Sequence, residues 1–224
     1  ADALHAGDVI RGIAHQALHL DKLLTLQMAK EGKRPLIYLA AMMPFGKDAE
    51  KRIERHRQLR AGKGFETVER YTAVEALCRG DGPDSEAFRN QAKGAVVMLE
   101  CMSNLTANEM FSGSGNSGDN TGAYRQGQAD RAQNEEEQHP TIDIRKVQDR
   151  IMKGIDALAE MAEHLVIVSI NVFEEGVQQY DPLTGAYIQC LGELNQMLTE
   201  RADEAVEVIY SIPVAYKEDV RCSH

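Results

Sequence analysis

The chain has 224 residues, 43% of them hydrophobic and 27% charged, and carries a formal net charge of −10. That length suits one compact domain with a sizeable core, and the acidic balance argues against non-specific binding to nucleic acid or to a membrane surface, both of which need a cationic face. No apolar run reaches the roughly 18 residues of a membrane span, whereas a small anionic substrate, needing only a local positive site, stays open. Along the chain, Ala1 to Ala6 makes a poor strand ahead of Gly7 to Ala14, and Ile13 to Glu31 has a helical pattern. Pro35–Ala41 (PLIYLAA) is a continuous apolar run, followed by a helical stretch from Asp48 to Arg60. Gly94–Glu100 (GAVVMLE) and His164–Ile170 (HLVIVSI) repeat the run, with a helical pattern over Thr141–Glu163 between them. Thr184–Arg201 reads as a further helix before a last run, Glu204–Ile212 (EAVEVIYSI).

Continuous rather than alternating hydrophobicity marks strands buried on both faces. Strands that alternate with helices build βαβ units. The expected fold is therefore a single α/β domain with a mostly parallel sheet flanked by helices, and its site lies outside the carboxyl ends of the strands. The domain is expected to span residues 1–217, with 218–224 as a tail. Ser112–Pro140 interrupts the rhythm with Gly, Ser, Asn and acids and almost no apolar side chain. It is expected to be a flexible polar loop, either a surface insertion or a lid. The four cysteines, Cys78, Cys101, Cys190 and Cys222, form no CxxC pair and read as reduced thiols of a cytoplasmic protein. No signal-peptide pattern opens the chain, and its start at Ala1 points to upstream residues having been removed.

Gly7 and Gly12 have the spacing of a phosphate loop, GxxxxGK[ST], in which backbone N–H groups cradle phosphates, a Lys reaches the β- and γ-oxygens and a hydroxyl ligates magnesium. Ile13 stands at the Lys position and Ala14 at the hydroxyl position. Two glycines so spaced are a weak signal by themselves. In the stretch RIERHRQLR, Arg52, His56 and Arg60 recur every four residues and share one helical face. Arginines around a histidine disfavour its charged form and keep the imidazole nucleophilic. The same arginines could hold a phosphate under attack; a solvated basic face is the plainer alternative. His15 and His19 lack a third ligand and fit a helix face better than a metal site. Met42, Met43, Met102, Met110 and Met161 read as core filler.

Several ordered blocks resemble one family. PLIYLAAMMPFGKDAEKRIERHRQLRAGKGFETVE, VVMLECMSNLTANEMF (with an ECxxxxxxN pattern) and His164–Lys217, with YDPxTxxY, LGxxN and a closing IPVxxK, are similar to the bifunctional adenosylcobinamide kinase / adenosylcobinamide-phosphate guanylyltransferases. The resemblance runs from about Gly7 to Lys217, interrupted by the polar loop. It implies a P-loop-type, RecA-like α/β fold in a cytoplasmic, homo-oligomeric enzyme, a trimer. It also implies phosphorylation of adenosylcobinamide, then transfer of GMP from GTP to the resulting phosphate through a guanylylated histidine, with ATP, GTP and Mg²⁺ as co-substrates. Carried over by motif, the nucleophile is His56. Gly7, Gly12, Ile13 and Ala14 fall on the phosphate loop, Arg52 on a phosphate contact, and Glu100 on the acidic nucleotide and magnesium position. The sequence departs from the family at the loop lysine and hydroxyl (Ile13, Ala14), at the threonine ending the first block's strand (Ala41) and at an Asn-Glu pair (Ile170-Asn171). Losing the lysine removes a charge-assisted bond to the transferring phosphoryl, roughly 10²–10⁴ in rate, so an impaired kinase step is expected. The alternative is a catalytically silent relative that binds a corrinoid or a partner.

Overall fold

A computed structural model describes residues 9–14, 34–44, 46–80, 82–111, 142–170, 180–209 and 212–217. Its strands are β1 Val9–Ala14, β2 Leu36–Ala40, β3 Phe65–Glu69, β4 Val96–Glu100, β5 His164–Ser169, β6 Glu204–Ile209 and β7 Ile212–Lys217. They form one sheet in the order β3-β2-β4-β5-β1-β6-β7. Every neighbouring pair from β3 to β6 is parallel, and β7 turns back antiparallel on β6. Parallel neighbours need crossovers. The described ones are α1 Gly46–Arg60, α2 Val74–Arg79 with α3 Pro83–Ala92, α4 Met102–Phe111 with α5 Ile144–Met161, and α6 Pro182–Arg201.

Side chains alternate across a strand, and the alternation sorts the core into two layers. Ile37, Leu39, Val97, Leu99, Leu165 and Ile167 pack with residues of α2 to α6, among them Leu77, Phe88, Leu105, Ile151 and Leu191. Leu36, Tyr38, Val96, Met98, Val166 and Val168 face the other way and form a smaller cluster. Leu39, Leu99 and Ile167 are fully buried, and each such side chain contributes about 1.5–3 kcal/mol relative to exposure. Within α5, Val147, Ile151, Ile155 and Leu158 recur at helical spacing and are buried. Gly154 on the same helix allows a close approach, because a Cβ there would lie 2.9 Å from Val74 Cβ at the start of α2.

The segment read as a phosphate loop leading into a helix is a strand. Gly12 pairs with Val168 and Val206, Ile13 with Ser169 and Glu207, and Ala14 with Val208. Val9, Ile10 and Ile13 are β-branched and favour extended chain, whereas two glycines five apart fix no conformation. Gly12 and Ile13 are laddered on both sides and Ala14 on the β6 side, so all three are strand residues and not a loop that cradles a phosphate. Gly7, the expected strand Ala1 to Ala6 and the rest of the helical pattern to Glu31, with His15 and His19, lie outside the described residues. So do the polar segment Ser112–Pro140, Asn171, Cys222 and the 218–224 tail. The run Glu204–Ile212 divides into β6 and β7; Pro213 is accommodated because β7 is the sheet's edge among the described strands.

Candidate active site

Glu100 ends β4, and Tyr38 stands two residues before the end of β2. The register pairs Ala40 with Glu100 and Tyr38 with Met98. Tyr38 and Glu100 therefore leave the sheet on the same face, at the carboxyl ends where parallel α/β sheets bind ligands. On that face α1 presents Ile53, His56, Arg57 and Arg60 at i, i+3, i+4 and i+7, one helical stripe. Tyr38, Ile53, His56, Arg60, Glu100 and Asn104 line a common cavity.

Inside it, His56 Nδ1 lies 3.1 Å from Glu100 Oε1 and 3.4 Å from the Tyr38 hydroxyl. The Tyr38 hydroxyl donates to Glu100 Oε2 in a short hydrogen bond. Burial first, and then the neighbouring Glu100 carboxylate, push the ionisation of Tyr38 far above the phenol range, so it remains an O–H donor. The Arg60 guanidinium carbon sits 3.7 Å from the centroid of the Tyr38 ring, while Phe65 meets the ring edge-on at 6.2 Å and 79°. Arg60 is only 8% exposed, and its Nε has no hydrogen-bond partner among the described residues. A buried cation in that state attracts an anion. At the rim, Arg57 donates to Glu69 at 2.8 Å. Hydrogen bonds from Tyr71 and then Arg57 hold the Glu69 carboxyl below its usual range. Asn104 donates to Cys101 Sγ at 3.1 Å.

Of the residues singled out in the sequence, the fold brings His56 and Glu100 into contact and sets Arg60 beside them. Arg52 does not line that cavity with them; it is exposed on α1, one turn before His56. Gly12, Ile13 and Ala14 lie in β1, separated from β4 by β5. Sequence reasoning missed Tyr38, whose place within an apolar run gave no polar signal. Other motif residues hold the scaffold. Asn108, of the ECxxxxxxN block, donates to Ala41 O at 2.9 Å and Tyr71 O at 3.0 Å, tying the turns after β2 and β3. Asn195, of LGxxN, accepts from Ser169 Oγ at 2.6 Å. Asp181, of YDPxTxxY, caps α6 by accepting from Leu183 N and Thr184 N.

Among the described residues no three His, Cys, Asp or Glu side chains gather to hold a metal ion. Magnesium commonly keeps several waters and takes one or two carboxylates plus substrate phosphates. Among the described residues the carboxylates lining the cavity are Glu69 and Glu100, a set that fits a magnesium carried on substrate phosphates rather than one held by protein ligands alone.

The cobinamide kinase / cobinamide phosphate guanyltransferase family matches the chain over residues 23–216. No curated protein matches it. Among solved structures, the chain is similar to a prototypical ATPase from the type III secretion system of pathogenic bacteria, at 13% identity and a TM-score of 0.45, covering 92% of this chain and 53% of that one. It is also similar to the assembled ATPase EscN in complex with its central stalk EscO from enteropathogenic E. coli, at 11% identity and a TM-score of 0.46, covering 92% and 42%. The flagellar accessory protein FlaH from Methanocaldococcus jannaschii gives 9% identity and a TM-score of 0.42, covering 96% and 80%. The chain thus spans about half the length of the first two, 53% and 42%.

Proposed function

This chain belongs to the cobinamide kinase / cobinamide phosphate guanyltransferase family, and on that premise we propose that it transfers GMP from GTP to adenosylcobinamide phosphate through a covalent guanylyl group on His56. The observation that carries the reading is the contact of His56 with the Glu100 carboxylate at the carboxyl edge of the sheet, 3.1 Å apart. A histidine nucleophile needs an oriented ring with one nitrogen held by a partner and the other open. Arg60 supports the reading as a buried cation above the same cavity, suited to nucleotide phosphates. Arg52, exposed on α1 about one turn before His56, is proposed as an outer phosphate contact. Magnesium enters with the triphosphate and offsets its charge.

The kinase half of the family's chemistry is proposed to be impaired, for a different reason from the one the glycine spacing gave. In a phosphate loop the glycine-rich segment follows the strand. Here the strand ends at Ala14, and His15 to Glu31 contains no glycine. Nowhere does the sequence contain GxxxxGK[ST].

The test is incubation with α-labelled GTP and magnesium, followed by a chase with adenosylcobinamide phosphate. Acid-labile, base-stable label is expected on the unmodified chain, absent from His56→Ala, and released into the corrinoid by the chase. Label that persists in His56→Ala, or no label at all, would overturn the assignment; in the second case a silent, corrinoid-binding relative becomes the better reading.

A further inference from the structure

We propose that Glu100 and Tyr38 act together as positioning residues that hold the His56 proton on Nδ1 and so leave Nε2 as the nitrogen that attacks the nucleotide. The inference deepens the guanylyl-transfer reading and rests on it for the chemical step. It follows from accounting for protons around one atom. Among the described residues Nδ1 has two polar neighbours, Glu100 Oε1 at 3.1 Å and the Tyr38 oxygen at 3.4 Å. A carboxylate only accepts, and the Tyr38 proton is already given to Glu100 Oε2. Both neighbours of Nδ1 are therefore acceptors, so Nδ1 must be the N–H. A neutral imidazole with its proton on Nδ1 carries its lone pair on Nε2.

The arrangement is held from behind. Tyr38 is 3% and Glu100 8% exposed, and the Tyr38 ring is clamped between the Arg60 guanidinium and the edge of Phe65. The ring is thereby fixed in place, and the short hydrogen bond to the Glu100 carboxylate, a charged and stronger acceptor than a neutral imidazole, keeps the hydroxyl proton from Nδ1. The two ring nitrogens point to opposite sides of the imidazole, so engaging Nδ1 against the sheet turns Nε2 away from Glu100.

The step then balances without a proton entering or leaving the ring. The Nε2 lone pair forms a bond to the α-phosphorus of GTP as the bond from that phosphorus to the bridging oxygen breaks, and pyrophosphate leaves with the electron pair. The Nδ1 proton stays in place, and the positive charge of the guanylylated ring lies beside the Glu100 carboxylate. Attack by a phosphate oxygen of the acceptor breaks the N–P bond and returns the electron pair to Nε2.

Two measurements on the full chain test this. The first is the ¹⁵N spectrum of the imidazole, recorded on the plateau where its shifts no longer move with pH. It is expected to show Nδ1–H and a lone pair on Nε2. Glu100→Gln can offer an amide N–H to Nδ1, so it is expected to invert or abolish that preference; Tyr38→Phe should weaken it. Thermal unfolding of both variants separates this from loss of fold. The second is the position of the N–P bond after reaction with α-labelled GTP, expected at Nε2, with adduct formation slowed roughly 10²–10⁴-fold in Glu100→Gln. A resting Nε2–H tautomer would overturn the inference, as would Nδ1–H unchanged in folded Glu100→Gln. An N–P bond at Nδ1 would overturn it while guanylyl transfer stood. No adduct, with Nδ1–H present and lost in Glu100→Gln, would sink guanylyl transfer and uphold the positioning.

Discussion

Beside the His56 cluster, the thiols show how strongly burial alone sets a residue's chemistry. Cys78 and Cys190 are buried, and burial pushes each from the ordinary 9.0 up to about 12. The thiolate is the reactive form, so iodoacetamide at pH 8 is expected to leave both untouched in the folded protein and to label both in urea. Peptide mapping reads the result; alkylation of either thiol in the native state would contradict its placement. The folded value lies above the unfolded one, so the stability tied to these protons is fully present below pH 9 and is lost as pH rises toward about 12. The scattered cysteines already suggested reduced thiols, and Cys78, Cys101 and Cys190 are free. Their burial depended on which face of α2 and α6 they occupy.

The elements meet at a few close contacts, and two of these give predictions. At Gly154 an added Cβ would lie 2.9 Å from Val74 Cβ and 3.2 Å from Glu75 N. Gly154→Ala gains up to about 1 kcal/mol in helix propensity but overpacks the α2 contact at about 1–3 kcal/mol. The urea midpoint is expected to fall with an unchanged slope; a rise would show that the helices separate freely. Asn108 is buried on α4 and donates to the carbonyls of Ala41 and Tyr71. Asn108→Ala leaves those carbonyls without their donor and is expected to cost about 1–3 kcal/mol, read as a lower Tm. Both turns flank the His56 cavity, so the same variant should slow adduct formation on His56. Unaltered labelling kinetics would show that the site does not depend on that tie.

At the scale of the whole molecule, a mostly parallel sheet carries the His56 cavity at the carboxyl ends of its strands. Among the described residues α2 to α6 pack on one face, while Tyr38, Met98 and Val166 lie on the other, where Tyr38 lines the cavity with His56. At this scale the expectation concerns division of labour between the family's two reactions. Adenosylcobinamide offered with γ-labelled ATP is expected to remain unphosphorylated under conditions in which α-labelled GTP marks His56. Turnover with ATP would mean that a segment without glycine holds the phosphates by some other means.

Read by itself, the sequence determined the parallel strands β2, β4 and β5, because apolar runs buried on both faces leave a periodicity-free signature, and it determined α1, α5 and α6 to within a few residues. It also singled out His56 and Glu100, each inside a recognisable block. Edge strands were harder to read. FETVE of β3 is half exposed, and the exposed β7 ran on from β6 as one apolar stretch. β1 was hidden by a glycine spacing that mimics a loop, and only pairing with β5 and β6 on either side decided that Val9–Ala14 is extended. The site's inner geometry was likewise a matter of tertiary structure. Tyr38 is polar only at its tip, and nothing local distinguishes it from its apolar neighbours. Its hydroxyl reaches Glu100 because parallel pairing brings residues 62 positions apart onto one face, and α1 then lays His56 against both.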